Sequence, residues 1–449
     1  MHRHFGIGVL LAAAILALPC QAQTGGPPGA GTPLRLTLAE AIDRGLRANL
    51  RTRTAEARVE EAVGSSERRL SGLMPRGRIE TSATIQNRSL RAFGFSFPGA
   101  PEVIPLFGVY DLRFYGEQAL FDRQVYQNWK ASQAQERSTR SDAQDARDSV
   151  VRLVAAYYLN AQSAAARVKA AQSRITASEA LLKLARDQRE AGVATGVDVL
   201  RAQVQLSNDQ QRHLEARNSY QQALLGLARN IGVSPGTPIE PAEQLDAQAG
   251  EVPEATEAVA AALATRADYQ ALVHQAESLG LQRKANEARY YPRVGIAGDY
   301  GGIGRSFSGL RGTGLLAGKI SFTVFDRDRK GEDAEIEARR RRLAAQMDDL
   351  KLGIEQEVRE ALLAIESAAQ EVRVSQEGRK LAERELELSR DRFQSGVTNN
   401  IEVVNAQDSL ARALENEILA ATRHADARMS LARALGDTEK NYAKFTTGK

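Results

Sequence analysis

The chain has 449 residues, of which 43% are hydrophobic, 26% charged and 5% aromatic, and its net charge is +4. So small a charge on this length leaves no nucleic-acid footprint, and a single cysteine, Cys20, excludes an internal disulfide framework. Abundant Ala, Arg, Glu, Leu and Gln suit long amphipathic helices.

Residues 1–22 have a basic start, an apolar run from Ile7 to Leu18 and small residues near Ala22, the pattern of a secretory signal peptide cleaved after Ala22. Pro19 stands where a lipoprotein signal carries a small residue, which argues against lipidation of Cys20. No later stretch offers about 20 uncharged apolar residues, so no transmembrane helix is expected. Gln23 to Pro33 reads as a loose leader. Thr37 and Glu40 then form a capping box for a helix whose apolar positions persist to about Leu73, where Pro75 stops it.

After Pro75 the period changes to two. Ile79 to Gln86 and Tyr110 to Leu120 alternate between a mostly apolar and a more polar face, giving a strand pair over 77–121 with a Gly/Pro/Phe-rich loop between. From Asp122 the helical period runs without proline to Arg189, a rod of about 100 Å. A break at Gly192 follows, then a second helix with Asp198 in its first turn, to Gly232. Glycine past a helix end can adopt the left-handed conformation, and an acid in a first turn suits the helix dipole, so the segment reads as a tight helical hairpin.

Residues 233–253 read as a linker, and the order then repeats over 254–449. A helix runs from Glu254 to Arg289, Pro292 stops it, and a strand pair fills 293–325. A second rod follows Phe325 and Asp326, with Leu343, Met347, Leu350, Ile354, Val358, Ala361, Ile365, Ala368 and Val372 spaced as a coiled-coil seam. A hairpin at Gly396 closes the copy. At a constant shift of 204 residues, 186–232 overlays 390–436 without a gap, pairing Gly192 with Gly396, Val193 with Val397, Asp198 with Glu402 and Val199 with Val403. The same shift carries Phe121-Asp122 onto Phe325-Asp326, so the mature chain is a tandem repeat of 23–232 and 254–449.

Strands with one apolar face match the transmembrane β-barrel pattern, in which every edge must be closed because lipid offers no hydrogen bonds. Four strands cannot close a barrel alone, whereas three chains supply twelve. No catalytic constellation stands out. His213, His274 and His424 are isolated and read as solvated helix positions. Asp326 to Glu337 mimics a calcium loop, but Lys330 fills a ligand position and the segment reads as helix. No cofactor, metal site or catalytic residue is expected.

The duplicated order, the prolines Pro75 and Pro292 before the strands, Phe121-Asp122 and Phe325-Asp326 after them, and the twice-occurring G-V-x-x-x-x-[DE]-V-[LV]-x-A-Q tips resemble the TolC-like outer-membrane efflux and secretion proteins. The resemblance covers essentially the whole mature chain. It implies a fold that is mainly α with a β-barrel contribution: a homotrimer with a periplasmic α-helical barrel and a 12-stranded barrel in the outer membrane of a Gram-negative bacterium. It further implies a passive exit duct of a tripartite efflux or type I secretion system. Its partners would be outer-membrane lipid, a periplasmic membrane-fusion adaptor and an inner-membrane pump of the RND, ABC or MFS type. By position, Gly192, Val193, Asp198, Val199 and Leu200, with Gly396, Val397, Glu402 and Val403, would form the adaptor-docking tips. Glu402 matches the first acidic position of the family gate, while Asn405 and Thr398 stand at its second acidic and arginine-latch positions. A single carboxylate ring is then expected at the periplasmic constriction, with little else charged beside it, acting as a cation filter. The competing reading, an exported coiled-coil protein without a pore, explains the helices but not two amphipathic strand pairs.

Overall fold

The computed structural model describes residues 33–94, 98–99, 101–243, 253–436, 438–440 and 442; the expected signal peptide and Cys20 lie outside them. The first copy runs β1 (Leu34–Leu36), α1 (Leu38–Ala48), α2 (Leu50–Leu70), β2 (Arg76–Ser89), β3 (Val103–Phe121), α3 (Arg123–Glu190) and α4 (Gly196–Asn230). The second runs β4 (Ile239–Pro241), α5 (Ala255–Thr265), α6 (Ala267–Glu287), β5 (Arg293–Gly304), β6 (Arg311–Ser321), α7 (Asp328–Gln394) and α8 (Asn400–Leu435).

Thr37 caps α1 through the expected box, accepting from the Glu40 amide while the Glu40 carboxylate accepts from Thr37 N. The single helix expected from Thr37 to Leu73 is instead broken at Asn49, which is extended (φ −68°, ψ 134°) and whose side chain accepts from Arg51 N to cap α2. The helix expected from Glu254 to Arg289 is likewise broken, at the extended Arg266. Both breaks follow an 11-residue helix and precede a 21-residue one. They are equivalent positions, since Asn49 to Arg266 and Pro75 to Pro292 are the same shift. Arg266 has no side-chain cap; its guanidinium is held by Asp268 at 2.6 Å and by Glu357 of α7. Apolar spacing continues across both breaks, which hid them in the sequence.

Two sheets form. β1 pairs in parallel with β4, a contact between the chain's start and residues expected to be linker. Its core neighbours are α1, α3 and α4, where the buried Tyr158 hydroxyl donates to Leu36 O at 2.9 Å. The larger sheet is antiparallel in the order β2, β3, β5, β6, so β3 and β5 join the two copies while β2 and β6 remain edges. β6 ends at Ser321, earlier than the expected 325, leaving Phe322 and Val324 beyond the strand.

Near the large sheet the helices pack in the order α2, α3, α6, α7; farther away the order is α4, α3, α8, α7. The long helices α3 and α7 thus run through both rows. The seam is buried at Leu343, Ile354, Val358, Ala361, Ile365, Ala368 and Val372, with Met347 and Leu350 at its margin. Among the described residues no helix is long and apolar enough to cross a membrane.

Candidate functional site: the hairpin tips and the strand sheet

Both long helices end in the same way. Gly192 (φ 75°) donates to Arg189 O at 3.0 Å and Val193 N to Gln188 O at 2.9 Å; Gly396 (φ 70°) donates to Phe393 O at 3.1 Å and Val397 N to Arg392 O at 3.0 Å. These pairs form the Schellman motif, which occupies the last free carbonyls and needs a left-handed residue after the cap. The cap of the next helix stands three residues after each glycine. Thr195 caps α4 and receives the Asp198 carboxylate at its own N–H (3.0 Å), a second capping box; Asn399 caps α8 by accepting from Ile401 N at 3.1 Å. The sequence reading missed both caps, although Thr195 three residues before Asp198 carries the signal.

The two tips are one body. Asn400 Nδ2 donates to Asp198 O at 2.6 Å and Gln188 Nε2 to Phe393 O at 2.9 Å. Val199 and Val403 are buried with Leu181, Leu182, Leu386 and Phe393, so they hold the hairpins together rather than presenting apolar surface. The apolar surface of the tips comes from Val193 (63% exposed), Val397 (69%) and Leu200, joined by Val197 and Ile401. Asn405 is exposed and Thr398 half-buried. Glu402 does not stand alone as expected: Arg392, in the last turn of α7, meets it at 3.3 Å (Nε to Oε2). The expectation of little charge beside the ring is therefore corrected.

Farther from the tips, an ionic cluster around the buried Asp209 ties α3 and α4 to α8. Arg174 lies 2.8 Å from Asp209 and 2.9 Å from Asp408, and Ser178 donates to Asp209 at 2.5 Å. His424 corrects another expectation. It is 2% exposed rather than solvated, and burial, with Arg428 nearby, holds its imidazole below the ordinary value. Among the described residues no group of His, Cys, Asp and Glu is placed to hold a metal ion. The calcium-like stretch is the start of α7, with Asp326 ion-paired to Arg289 at 2.6 Å.

The large sheet separates chemistry by face. The register puts Ile79 opposite Phe114, Gly298 opposite Leu316 and Phe114 opposite Tyr300, so one face carries Ile79, Ile85, Leu112, Phe114, Ile296, Tyr300, Leu316 and Ile320, all exposed. Such a contiguous apolar surface marks a partner or a membrane. The other face is charged. There Arg113 bridges β3, β5 and β6, donating to Asp299 at 2.5 Å, Thr313 at 3.1 Å and Asp111 at 3.3 Å. At the helix end of the sheet, short 3₁₀ turns lead into Pro75 and Pro292. After Phe121, Asp122 caps α3 by accepting from Val125 N; after Phe325, Asp326 accepts from Asp328 N, while the N-cap of α7 is Arg327, which makes no side-chain cap bond.

A family model described as "Outer membrane efflux protein" matches residues 116–233 and 258–437. The probable efflux pump outer membrane protein TtgC of Pseudomonas putida is 23% identical over 346 residues, covering 73% of this chain and 67% of its own length. Outer membrane protein OprJ of Pseudomonas aeruginosa is 24% identical over 391 residues, covering 84% and 74%. Among solved structures, the outer membrane protein VceC of Vibrio cholerae superposes with a TM-score of 0.75 at 18% identity, covering 89% of this chain and 96% of that one. The open-state MtrE outer membrane channel of Neisseria gonorrhoeae gives 0.73 at 20% identity, with 89% of each chain covered. These structural likenesses speak for the fold.

Proposed function

The chain belongs to the outer membrane efflux protein family, and on that premise we propose that three copies assemble into a passive exit duct from the periplasm to the exterior. The carrying observation is the four-stranded sheet, with an apolar face, a charged face and unpaired edges at β2 and β6. In lipid an open edge leaves backbone groups unsatisfied, so the sheet closes only by edge-to-edge pairing with other copies. Three copies give twelve strands, within the range of known barrels, with the apolar face toward lipid and the charged face toward the lumen. The helical body has matching ends: α4 exposes Val204, Leu214 and Leu225, and α7 exposes Leu352, Leu363, Val374, Leu381 and Leu388. Contact of α4 and α2 in one protomer with α7 of the next would cover those side chains and close a helical barrel below the membrane. Residues 23–232 and 254–449 act in this reading as two copies of one unit, with Pro75, Asp122, Pro292 and Asp326 at the turn from barrel to helices.

The tips lie at the end farthest from the sheet. Exposed Val193, Val197, Leu200, Val397 and Ile401 there form the surface on which a periplasmic adaptor would dock, with an RND, ABC or MFS pump in the inner membrane supplying the energy. Glu402 would recur three times around the narrow end, each time beside Arg392. Efflux and type I secretion both fit such a duct, because selection of cargo belongs largely to the pump.

The test is reconstitution. Outer-membrane fractions should yield heat-modifiable trimers that conduct in planar bilayers, and cross-linking through cysteines at positions 193 and 397 should capture the adaptor. A soluble periplasmic monomer without conductance would overturn the proposal.

A further inference from the structure

The charged face of the sheet holds more cations than its carboxylates neutralise. On the regular ladder below the bulge at Gln86 and Arg88, six cations (Arg76, Arg78, Arg113, Arg293, Arg311 and Lys319) share the face with four carboxylates (Glu80, Asp111, Glu117 and Asp299). Three of the four carboxylates are engaged by arginines. Glu80 lies 3.7 Å from Arg78, Asp111 and Asp299 both bind Arg113, and Glu117 stands directly opposite Arg76. What is left over is positive: Arg293 donates only to the neutral Thr323 hydroxyl, and Arg311 and Lys319 are exposed with no carboxylate partner among the described residues.

The placement matters as much as the count. Arg293 and Lys319 line, with Arg76 and the acids Glu117 and Asp122, a hollow of about 330 Å³ at the helix end of the sheet, and Arg311 lies toward its other end, opposite Ile303 and in line with Asp111. Between them the Arg113 cluster is closed on itself, its Arg113 and Asp299 side chains 15% and 12% exposed. Both ends of the face therefore present cations in excess: three line the hollow against Glu117 and the helix-capping Asp122, and Arg311 stands at the other end without a carboxylate partner among the described residues. At the hairpin tips, by contrast, Glu402 is offset by Arg392.

We propose that this face makes the barrel an anion-preferring conduit, with Arg293, Arg311 and Lys319 as its specificity-determining residues and solutes bearing carboxylate, sulfonate or phosphate groups as the favoured cargo. The inference rests on the channel reading above, which turns the face inward. The excess of two positive charges per chain becomes six in a trimer, concentrated in a lumen whose low-dielectric wall focuses the field on passing ions. Replacing three cations per chain by neutral residues would turn that excess of two into a deficit of one, so the preference should reverse sign rather than merely weaken.

The experiment uses the full-length trimer in planar bilayers under a potassium chloride gradient, where the two ions have nearly equal mobility. The wild-type channel should give a chloride-to-potassium permeability ratio above one. The Arg293→Gln, Arg311→Gln, Lys319→Gln triple variant should give a ratio below one at similar single-channel conductance. Arg293→Lys with Arg311→Lys keeps the charge and should retain the wild-type ratio, which separates charge from any change in barrel shape. A conducting wild-type channel with a ratio below one, a triple variant with an unchanged ratio, or loss of preference in the Lys variant would each overturn the inference alone. Well-formed protein that never conducts would overturn the channel reading and this inference with it.

Discussion

Gly396 offers a clean test of why the tip turns where it does, because crowding and backbone conformation predict different outcomes. A Cβ built on Gly396 meets only Val193 Cγ1, at the ordinary contact distance of 3.6 Å, and one on Gly192 meets nothing within 4 Å. Steric packing alone would therefore tolerate alanine at both sites. The backbone would not. With φ at 70°, Gly396→Ala should cost about 1–2 kcal/mol, and β-branched Gly396→Val more, whereas asparagine visits this region readily. At about 1.4 kcal/mol per tenfold, alanine should raise the open population of the turn roughly 5- to 30-fold. Hydrogen exchange of peptides spanning Gly396 and Val397 reads this directly, since those amides are tied to Phe393 O and Arg392 O. Protection should fall in the order Gly, Asn, Ala, Val, with trimer yield unchanged because the sheet is remote, and adaptor capture should fall in parallel. Equal protection in the Ala and Gly proteins, or equal loss in Asn and Val, would refute the conformational argument.

Three further outcomes follow from the geometry. Leu112→Arg and Phe114→Arg place charge on the exposed apolar face and should each cost about 2–4 kcal/mol near the bilayer midplane, seen as lost trimers in outer-membrane fractions; normal recovery would sink the assignment of that face to lipid. Burial, and then the neighbouring Asp145, push the Asp142 carboxyl above its ordinary range, so its ionisation opposes folding at neutral pH, a penalty absent below the ordinary carboxylate range where both states are protonated. Asp142→Asn should thus raise the melting temperature near pH 7 and lose that advantage as the pH falls; a gain that persists in acid would contradict the assignment. Removing Arg392 with Arg392→Gln should leave Glu402 unpaired and strengthen block of the channel by trivalent cations, an effect abolished in the Arg392→Gln, Glu402→Gln double variant; unchanged block in the single variant would show that the 3.3 Å pair does not govern the ring.

Much of the architecture was legible because it depends on local signals. The period change after Pro75, the capping box of Thr37 and the glycines that end α3 and α7 each act within a few residues, and duplication presented most of them twice. The breaks at Asn49 and Arg266 were not read because apolar spacing continues through them, so the sequence keeps its helical phase while the axis does not. The pairing of Leu34–Leu36 with Ile239–Pro241 was equally hidden. It links short strands about two hundred positions apart, and neither has the length to show a period of its own. His424 misled for another reason: a lone polar residue on a helix says nothing of whether that face meets water or α3 and α7.

The tips show most sharply where a repeat helps and where it stops helping. Overlay pairs Asp198 with Glu402 and suggests one role for both, yet the structure gives them two. Asp198 is short enough to fold back on Thr195 and complete the cap, whereas at Asn399 the cap is already made by the asparagine and the longer Glu402 is left to reach across the turn. What it reaches is decided one further residue away, for the position of Arg392 in α7 is that of Gln188 in α3. Gln188 uses its amide to bind Phe393 O of the other hairpin, while Arg392 stays within its own hairpin and pairs with Glu402. One hairpin thus supplies the cross-link and the other the charge pair. Had both copies kept glutamine, Glu402 would be unpaired; had both kept arginine, the bond that Gln188 makes to Phe393 would be lost. The divergence of two aligned positions, rather than their similarity, sets the electrostatics of the hairpin tips.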